Sequence, residues 1–430
     1  MEFVRSRSAL ATLDRCILPM VNNVKIDNMT KKYCFLTGAT GLVGSYVMRN
    51  LLTLGHQVAV LVRPSKRQSC QQRIGSLLTH WENETGELLP RPHILEGDLL
   101  DHHWVTQYDG WIKEHCDSII HCAASLTFHG SKTEEPWLSN IEGTRKILSL
   151  CESTGIRNMH YVSTAYVAGT SRMFDEDELD AGQSLRNDYE QSKFEAEKMV
   201  RAANIFDSLT IYRPSIVVGD SRTAYTSTFH GFYAVLKLAH TLVNRMSLGT
   251  TSGRGLLKAL GVTDNDRKNY VPVDWAADVM THIFTNPQWH GRTYHLTTPE
   301  PPLLTEFVDV VQDAVETYST LADEADPLLA NESWFFEQYL NEVQIYAPYL
   351  QDDPKFDSTN TQTAAPHLPC PKMDKELMMF LARYAILSRF GKTKVNAEPL
   401  KPPALTLSTR SANEGEGQRL PILPVADAPG

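Results

Sequence analysis

The stretch TGATGLVG, from Thr37 to Gly44, constrains the fold of this chain more than any other. It follows an apolar run, YCFLTG, and opens an amphipathic one, SYVMRNLLTLG. Glycines at 38, 41 and 44 allow a tight turn and a close approach of backbone to an anion. A helix that starts there presents free N–H groups to the same anion. In strand–turn–helix context the pattern predicts a pyrophosphate site built from Gly38, Thr40, Gly41, Leu42, Val43 and Gly44. The competing reading is a tight turn that holds no ligand.

The runs YCFLTG, QVAVLV, HILEGD, SIIHCAAS, MHYVSTAYV and LTIYRPSIVVG read as six buried strands. Amphipathic segments such as WLSNIEGTRKILSLCESTG separate them. Such alternation predicts an α/β fold, a doubly wound parallel Rossmann sheet with helices on both faces. After about Tyr270 the pattern changes: VPVDWAADVMTHIF predicts a helix entered through Pro272, and GRTYHLTT one more strand. From Thr305 to about Phe390 the segments read as helical, ESWFFEQYLNEV and KELMMFLARYAIL among them. They are broken by QDDPKFDSTNTQTAAPHLPCP, whose composition predicts a long polar loop of the kind that forms lids. The expected organisation is an N-terminal extension over 1–30, a NAD(P)-binding Rossmann domain over 31–300 with substrate-lobe segments from about 220, a smaller helical lobe over 301–390, and a disordered tail over 391–430. Met29 is an alternative start, since the first strand opens four residues later.

Composition excludes some roles. The 430 residues are 42% hydrophobic and 21% charged, as in ordinary globular proteins. A formal net charge of -10 counts against a nucleic-acid partner. Seven scattered cysteines with no CxxC pair predict neither a disulfide framework nor a metal site, and a reducing cytoplasm is expected. No run approaches the roughly 20 apolar residues of an integral membrane span. Asp14 and Arg15 interrupt the one apolar patch near the start, so no signal peptide is expected.

The end of the second strand selects the cofactor. A site for NAD places an acid there to hold the ribose 2′-OH, whereas this chain places Arg63, Lys66 and Arg67. Bases suit a 2′-phosphate, so NADP is the expected cofactor, with NAD the alternative.

Two Tyr–Lys pairs have the i, i+4 spacing that puts both residues on one helix face: Tyr189 and Lys193 in NDYEQSKFEAE, and Tyr233 and Lys237 in YAVLK. A tyrosine shuttles protons poorly at its ordinary pKa near 10, and a nearby ammonium lowers that value. Bringing it toward 7 takes about 4 kcal/mol. A hydroxyl partner is also needed. YVSTAYVAG supplies Ser163 and Thr164 about 25 residues before Tyr189, at the carboxyl end of the sheet. No such strand precedes Tyr233 at that distance. Tyr189 and Lys193 are therefore the expected catalytic pair, and Tyr233 and Lys237 are expected on a substrate-side helix.

The GxxGxxG loop and the YxxxK pair resemble the extended short-chain dehydrogenase/reductases, from about Lys31 to Thr298. HCAASLTF, SNIEGT, YVSTAYVAG, NDYEQSKFEAE and YRPSIVVGD most resemble the male-sterility-type branch, which includes fatty acyl-CoA reductases and thioester reductase domains. The resemblance implies that Thr164, five residues before Gly169, and Tyr189 bind the carbonyl oxygen, that Tyr189 donates the proton, and that Lys193 holds the nicotinamide ribose. It implies cofactor contacts from Asp98 and Leu99 after the third strand, from Ala123 and Ala124 in the small-residue turn, and from Pro214 and Ser215. Asn140 falls at a structural asparagine.

The resulting expectation is an NADP-dependent reductase of a carbonyl or acyl thioester on an apolar, small-molecule substrate. A nucleotide-sugar epimerase or dehydratase and a sterol-type dehydrogenase share the fold. A non-catalytic cofactor sensor is a third class, against which the intact Thr, Tyr and Lys argue.

Overall fold

The computed structural model describes residues 32–130, 133–246, 261–318 and 351–393, with 254, 255, 258, 402–405 and 407. The expected N-terminal extension, the helix in ESWFFEQYLNEV and the last residues of the tail lie outside them.

Seven parallel strands form the sheet: β1 Tyr33–Thr37, β2 Val58–Val62, β3 His93–Glu96, β4 Cys116–His121, β5 Asn158–Val162, β6 Ser208–Pro214 and β7 Thr293–Leu296. Their order is β3-β2-β1-β4-β5-β6-β7. All six runs read from the sequence are strands of this sheet, and GRTYHLTT supplies the seventh. Parallel strands are covered on both sides, which is why VAVLV is apolar at every position and buried throughout.

Helices close both faces. On one lie α1 Leu42–Thr53, α2 Cys70–Thr85 and α7 Val273–Thr285, which bury Val47, Leu51, Trp81, Met280 and Ile283 against the strands. On the other lie α3 His103–His115, α4 Thr144–Thr154 and α5 Asp188–Ala202, with Trp104, Ile112, Ile147, Leu150, Ala196 and Val200. Local chemistry sets the ends. Ser69 and Gln72 make a reciprocal capping box at the start of α2, and Gly86 ends it in the left-handed region. Asn187 caps α5 by accepting the Glu190 amide at 2.9 Å.

Three further helices, α6 Phe232–Met246, α8 Leu304–Tyr318 and α9 Lys375–Leu387, share a separate core of Phe232, Leu236, Phe307, Val311, Leu377 and Leu381.

Two expectations need correction. The polar segment 351–371 is no lid. Lys355–Phe356 pairs as a short parallel strand with Met173–Phe174, and Thr359–Ala364 is a short helix. Asp353, Ser358, Thr361, Ala364, Ala365 and Cys370 are buried. Its polar residues bond inward, so polarity here marks a strap tied to the body. The tail beyond 391 is also not wholly unattached: Leu405 packs on the second core, and Leu407 bridges Pro371.

Candidate active site

The carboxyl ends of β1, β4 and β5 open side by side, since Thr37 pairs with His121 and His121 with Tyr161. Above them lies a cleft of about 340 Å³. Gly38, Gly41, Leu42, Val43 and Gly44 floor one end of it. Gly38 stands at φ +76°, and a Cβ there would meet the Ala123 amide nitrogen at 2.6 Å. A Cβ on Gly44 would collide with the Gly38 carbonyl oxygen. The turn closes through a bond from the Gly41 amide to that carbonyl at 2.9 Å. Helix α1 begins without a side-chain cap, which leaves its amino end to a ligand's negative charge. These residues fit a dinucleotide pyrophosphate.

Beyond the loop, Arg63, Lys66 and Arg67 are exposed on the turn after β2. Arg63 faces Asp98 at 3.6 Å, and Asp98 also accepts the Leu100 amide. Thr40 is engaged by a residue that the sequence reading passed over. Arg73, in the first turn of α2, donates from Nη2 to Thr40 Oγ1 at 2.8 Å and from Nη1 to the Arg63 carbonyl. Leu99 packs over Gly143, whose missing side chain makes room for it. Ala124 lines the cleft, whereas Ala123 lies behind it and donates to Thr37 Oγ1 at 3.3 Å.

Thr164, Tyr189 and Lys193 meet at the other end of the cleft, with Pro214 and Ser215 beside them. Helix α5 delivers Tyr189 and Lys193 from adjacent turns of one face. Thr164 caps a short 3-10 turn and donates to the Pro214 carbonyl at 3.4 Å. The Ser163 hydroxyl is buried near Glu197 without a hydrogen bond of normal geometry, although Ser163 too borders the cleft. Asn140 accepts the Ser125 amide at 2.8 Å and donates to Ser192 at 2.9 Å, a structural role.

The electrostatics differ from expectation. Burial pushes the Tyr189 hydroxyl up to about 12, and the opposing influence is a hydrogen bond with Thr164. Lys193 does not draw it down. The Lys193 ammonium is turned to the Tyr161 hydroxyl at 3.0 Å and the Val162 carbonyl at 2.8 Å, and burial lowers its own pKa to about 8. The second pair separates. Tyr233 is buried and its hydroxyl accepts the Gly219 amide at 2.9 Å, while Lys237 is exposed. Helix α6 still borders the cleft, through Val235 and the preceding Gly231.

The cleft walls are mainly apolar: Leu126, Phe128, Ile216, Val217, Val235 and Tyr270. Phe128 meets the Tyr189 ring edge to face, with centroids 6.1 Å apart. Lys268 is a second buried cation of the wall, in addition to Lys193. It pairs with Asp353 at 2.6 Å, and the same carboxylate accepts from Tyr166 and from the Asn269 amide. A larger groove of about 1030 Å³, past Asn269 and Asp353, contains none of the glycine-loop or Tyr–Lys residues.

A family model described as male sterility protein, a NAD-binding domain, matches residues 36–280. The chain belongs to the male sterility protein family. That family is a branch of the extended short-chain dehydrogenase/reductases, NAD(P)-dependent oxidoreductases on a Rossmann sheet. Among curated relatives, the aldehyde reductase lnaA of Aspergillus flavus is 26% identical over 83% of this chain and 36% of its own length. The L-2-aminoadipate reductase of Schizosaccharomyces pombe is 25% identical over 77% of this chain and 24% of its own. The chain thus spans about a third of the length of the first curated relatives it matches. Of solved structures, the terminal R domain from the myxalamid biosynthetic pathway superposes with a TM-score of 0.65, at 24% identity over 85% of this chain and 92% of that one. The thiolation-reductase di-domain from an archaeal non-ribosomal peptide synthetase gives 0.58, at 18% identity over 85% and 76%. Both share the fold.

Within the male sterility protein fold, the residues that sequence reading missed are those joined across long separations. Lys268 and Asp353 are brought together only by the strap. Arg73 had one available signal, a basic residue in the first turn of the helix that follows the basic turn.

Proposed function

We propose that this chain is an NADP(H)-dependent reductase of a carbonyl or acyl thioester carried on an apolar, fatty-acyl-like small molecule. The observation that carries the reading is the placement of Thr164, Tyr189 and Lys193 on one mainly apolar cleft whose far end is the glycine loop. Bound NADPH would supply the hydride. Gly38, Gly41 and Gly44 would hold its pyrophosphate, and Asp98, Leu99 and Ala124 would flank its adenosine side. Arg63 and Arg73 would take the 2′-phosphate, with Lys66 and Arg67 adding charge. Pro214 and Ser215 would line the nicotinamide.

Thr164 and Tyr189 would then grip the substrate oxygen, and Tyr189 would give it a proton as negative charge develops. A hydroxyl pushed up to about 12 is fully protonated at neutral pH, the state a donor needs. Lys193 would hold the ribose. Leu126, Phe128, Val235 and Tyr270 would receive the apolar substituent. We propose the Rossmann part over 31–300 as the cofactor domain and the helices around the second core as the substrate lobe. Arg63, Lys66 and Arg67 in place of an acid support this reading over a nucleotide-sugar epimerase with bound NAD.

The test is NADPH oxidation by the purified chain against long-chain acyl-CoA, alkyl aldehydes, sterol ketones and sugar nucleotides. Turnover with the first two is expected. Turnover confined to sugar nucleotides would overturn the reading.

A further inference from the structure

The Lys193 ammonium has three hydrogens. Two are spent inside the protein, on the Tyr161 hydroxyl and the Val162 carbonyl, which leaves a third for the cleft that Lys193 borders. Behind Tyr161 lies a run of buried polar groups. The Thr144 hydroxyl is beside that of Tyr161. The Thr144 hydroxyl donates to the Asn140 carbonyl at 2.7 Å, so its oxygen only accepts from other neighbours. His121 Nε2 lies 3.1 Å from that oxygen and therefore carries the ring hydrogen. His121 Nδ1 is then bare and accepts from the Thr37 hydroxyl at 2.7 Å. Thr37 Oγ1 in turn accepts the Ala123 amide. Burial, with Lys193 nearby, pushes the His121 pKa down to about 3, so the ring stays neutral and its tautomer holds. The run joins Lys193 to the last residue of β1, beside the glycine loop.

We propose that Tyr161 is a positioning residue for Lys193, one that, backed by Thr144, His121 and Thr37, aims the remaining ammonium hydrogen at the cofactor ribose. The inference rests on the reading of Lys193 as the ribose partner. Tyr161 lies on β5 and is fully buried, so nothing in its local sequence marks it. Other groups facing Lys193 are His121 on β4, Cys122 just after it, and Glu197 on α5 itself. Glu197 is the charged one, and it is taken up by Arg213 and Arg201. The Tyr161 hydroxyl is therefore the side-chain acceptor that the ammonium has in a dry site.

The experiment is NADPH binding, followed by fluorescence from pH 6 to 10, in the wild type, Tyr161→Phe, Lys193→Met and the double variant. If the ammonium binds the ribose, affinity falls as pH rises through the Lys193 titration. Removing an acceptor of the charged form moves that midpoint down, by about one to two pH units. In the Lys193→Met background the midpoint is gone, and adding Tyr161→Phe changes affinity less than about twofold. A midpoint unmoved in Tyr161→Phe, with Lys193→Met lacking it, would show that Tyr161 only packs. A midpoint that persists in Lys193→Met would overturn the ribose reading itself, and the inference with it. If Tyr161→Phe does not fold, Thr144→Val keeps the ring and removes the hydroxyl beside its own. It must shift the midpoint in the same direction, and no shift refutes the proposal.

Discussion

Replacing Arg73 by alanine tests the cofactor assignment at a residue with two separable roles. Its guanidinium has five N–H groups, of which one on Nη2 is used on Thr40 and one on Nη1 on the Arg63 carbonyl. The rest are available to a phosphate. Arg63, by contrast, sits in an exposed pair with Asp98 at 3.6 Å, a contact worth under about 1 kcal/mol and easily exchanged. A charge-assisted bond is worth about 1.5–3 kcal/mol. Coulomb attraction at about 4 Å runs from about 1 kcal/mol in water to about 4 near a protein surface. Taking about 2 kcal/mol, Arg73→Ala weakens NADPH about 30-fold and leaves NADH within about threefold. Arg73→Lys keeps the charge, loses the fork and falls between. The assay is fluorescence titration of both cofactors. Equal losses for NADH and NADPH would refute the argument, because they would mean that Arg73 shapes the loop through Thr40 and does not read the phosphate.

Other outcomes follow from the same geometry. Tyr189→Phe is expected to cost about 10²–10⁴ in turnover. Tyr233→Phe keeps turnover but leaves the buried Gly219 amide without its acceptor, a loss of about 1–3 kcal/mol readable by urea denaturation. Glu176 is pushed up to about 7 by burial, which outweighs the His295 and Asn360 amides that it accepts. The folded state therefore holds this proton longer than the unfolded one. The contribution is fully present below the ordinary glutamate range and fades as pH rises through about 7, by up to about 3 kcal/mol. Glu176→Gln should flatten that slope in melts from pH 5 to 8, and an unchanged slope would show that another group carries it. Ending the chain after Thr393 removes the Leu405 packing and the Leu407 bridge, so about 1–2 kcal/mol of stability should go. Ending it near Pro301 removes the strap as well as α8 and α9, and the fragment is expected to lose cofactor binding in a fluorescence titration.

The sheet was legible because each strand announces itself locally. An apolar run such as VAVLV, followed by a turn and an amphipathic run, leaves few alternatives to a covered parallel strand. The glycine loop was legible for the same reason. Three glycines in eight residues serve one turn, and the turn explains them. The choice of Tyr189 over Tyr233 needed context, namely a hydroxyl-bearing strand end at the right distance. What could not be read was carried by contacts between distant positions. QDDPKFDSTNTQTAAPHLPCP looks like a loop because it is polar and rich in Pro, Asp and Thr; its buried groups find partners at Lys268, His295 and Glu176, up to 184 residues away. The direction of Lys193 was equally hidden. Spacing put it beside Tyr189, while the Tyr161 hydroxyl and the Val162 carbonyl decided where its ammonium points.

The strap also settles what happens at the open side of the sheet. Among the described residues strand β7 has a neighbour on one side only, and a bare row of amides and carbonyls there would be a template for another chain. Side chains occupy that row instead. Glu176 takes the His295 amide, Thr361 donates to the His295 carbonyl, and Asn360 donates to the Thr293 carbonyl. At the opposite border the Glu96 amide of β3 is met by the Tyr108 hydroxyl at 3.4 Å. Loosening the strap would therefore do more than lower stability. It would uncover a β-edge able to recruit a second molecule, so variants at Glu176 or Thr361 should show concentration-dependent association before they unfold.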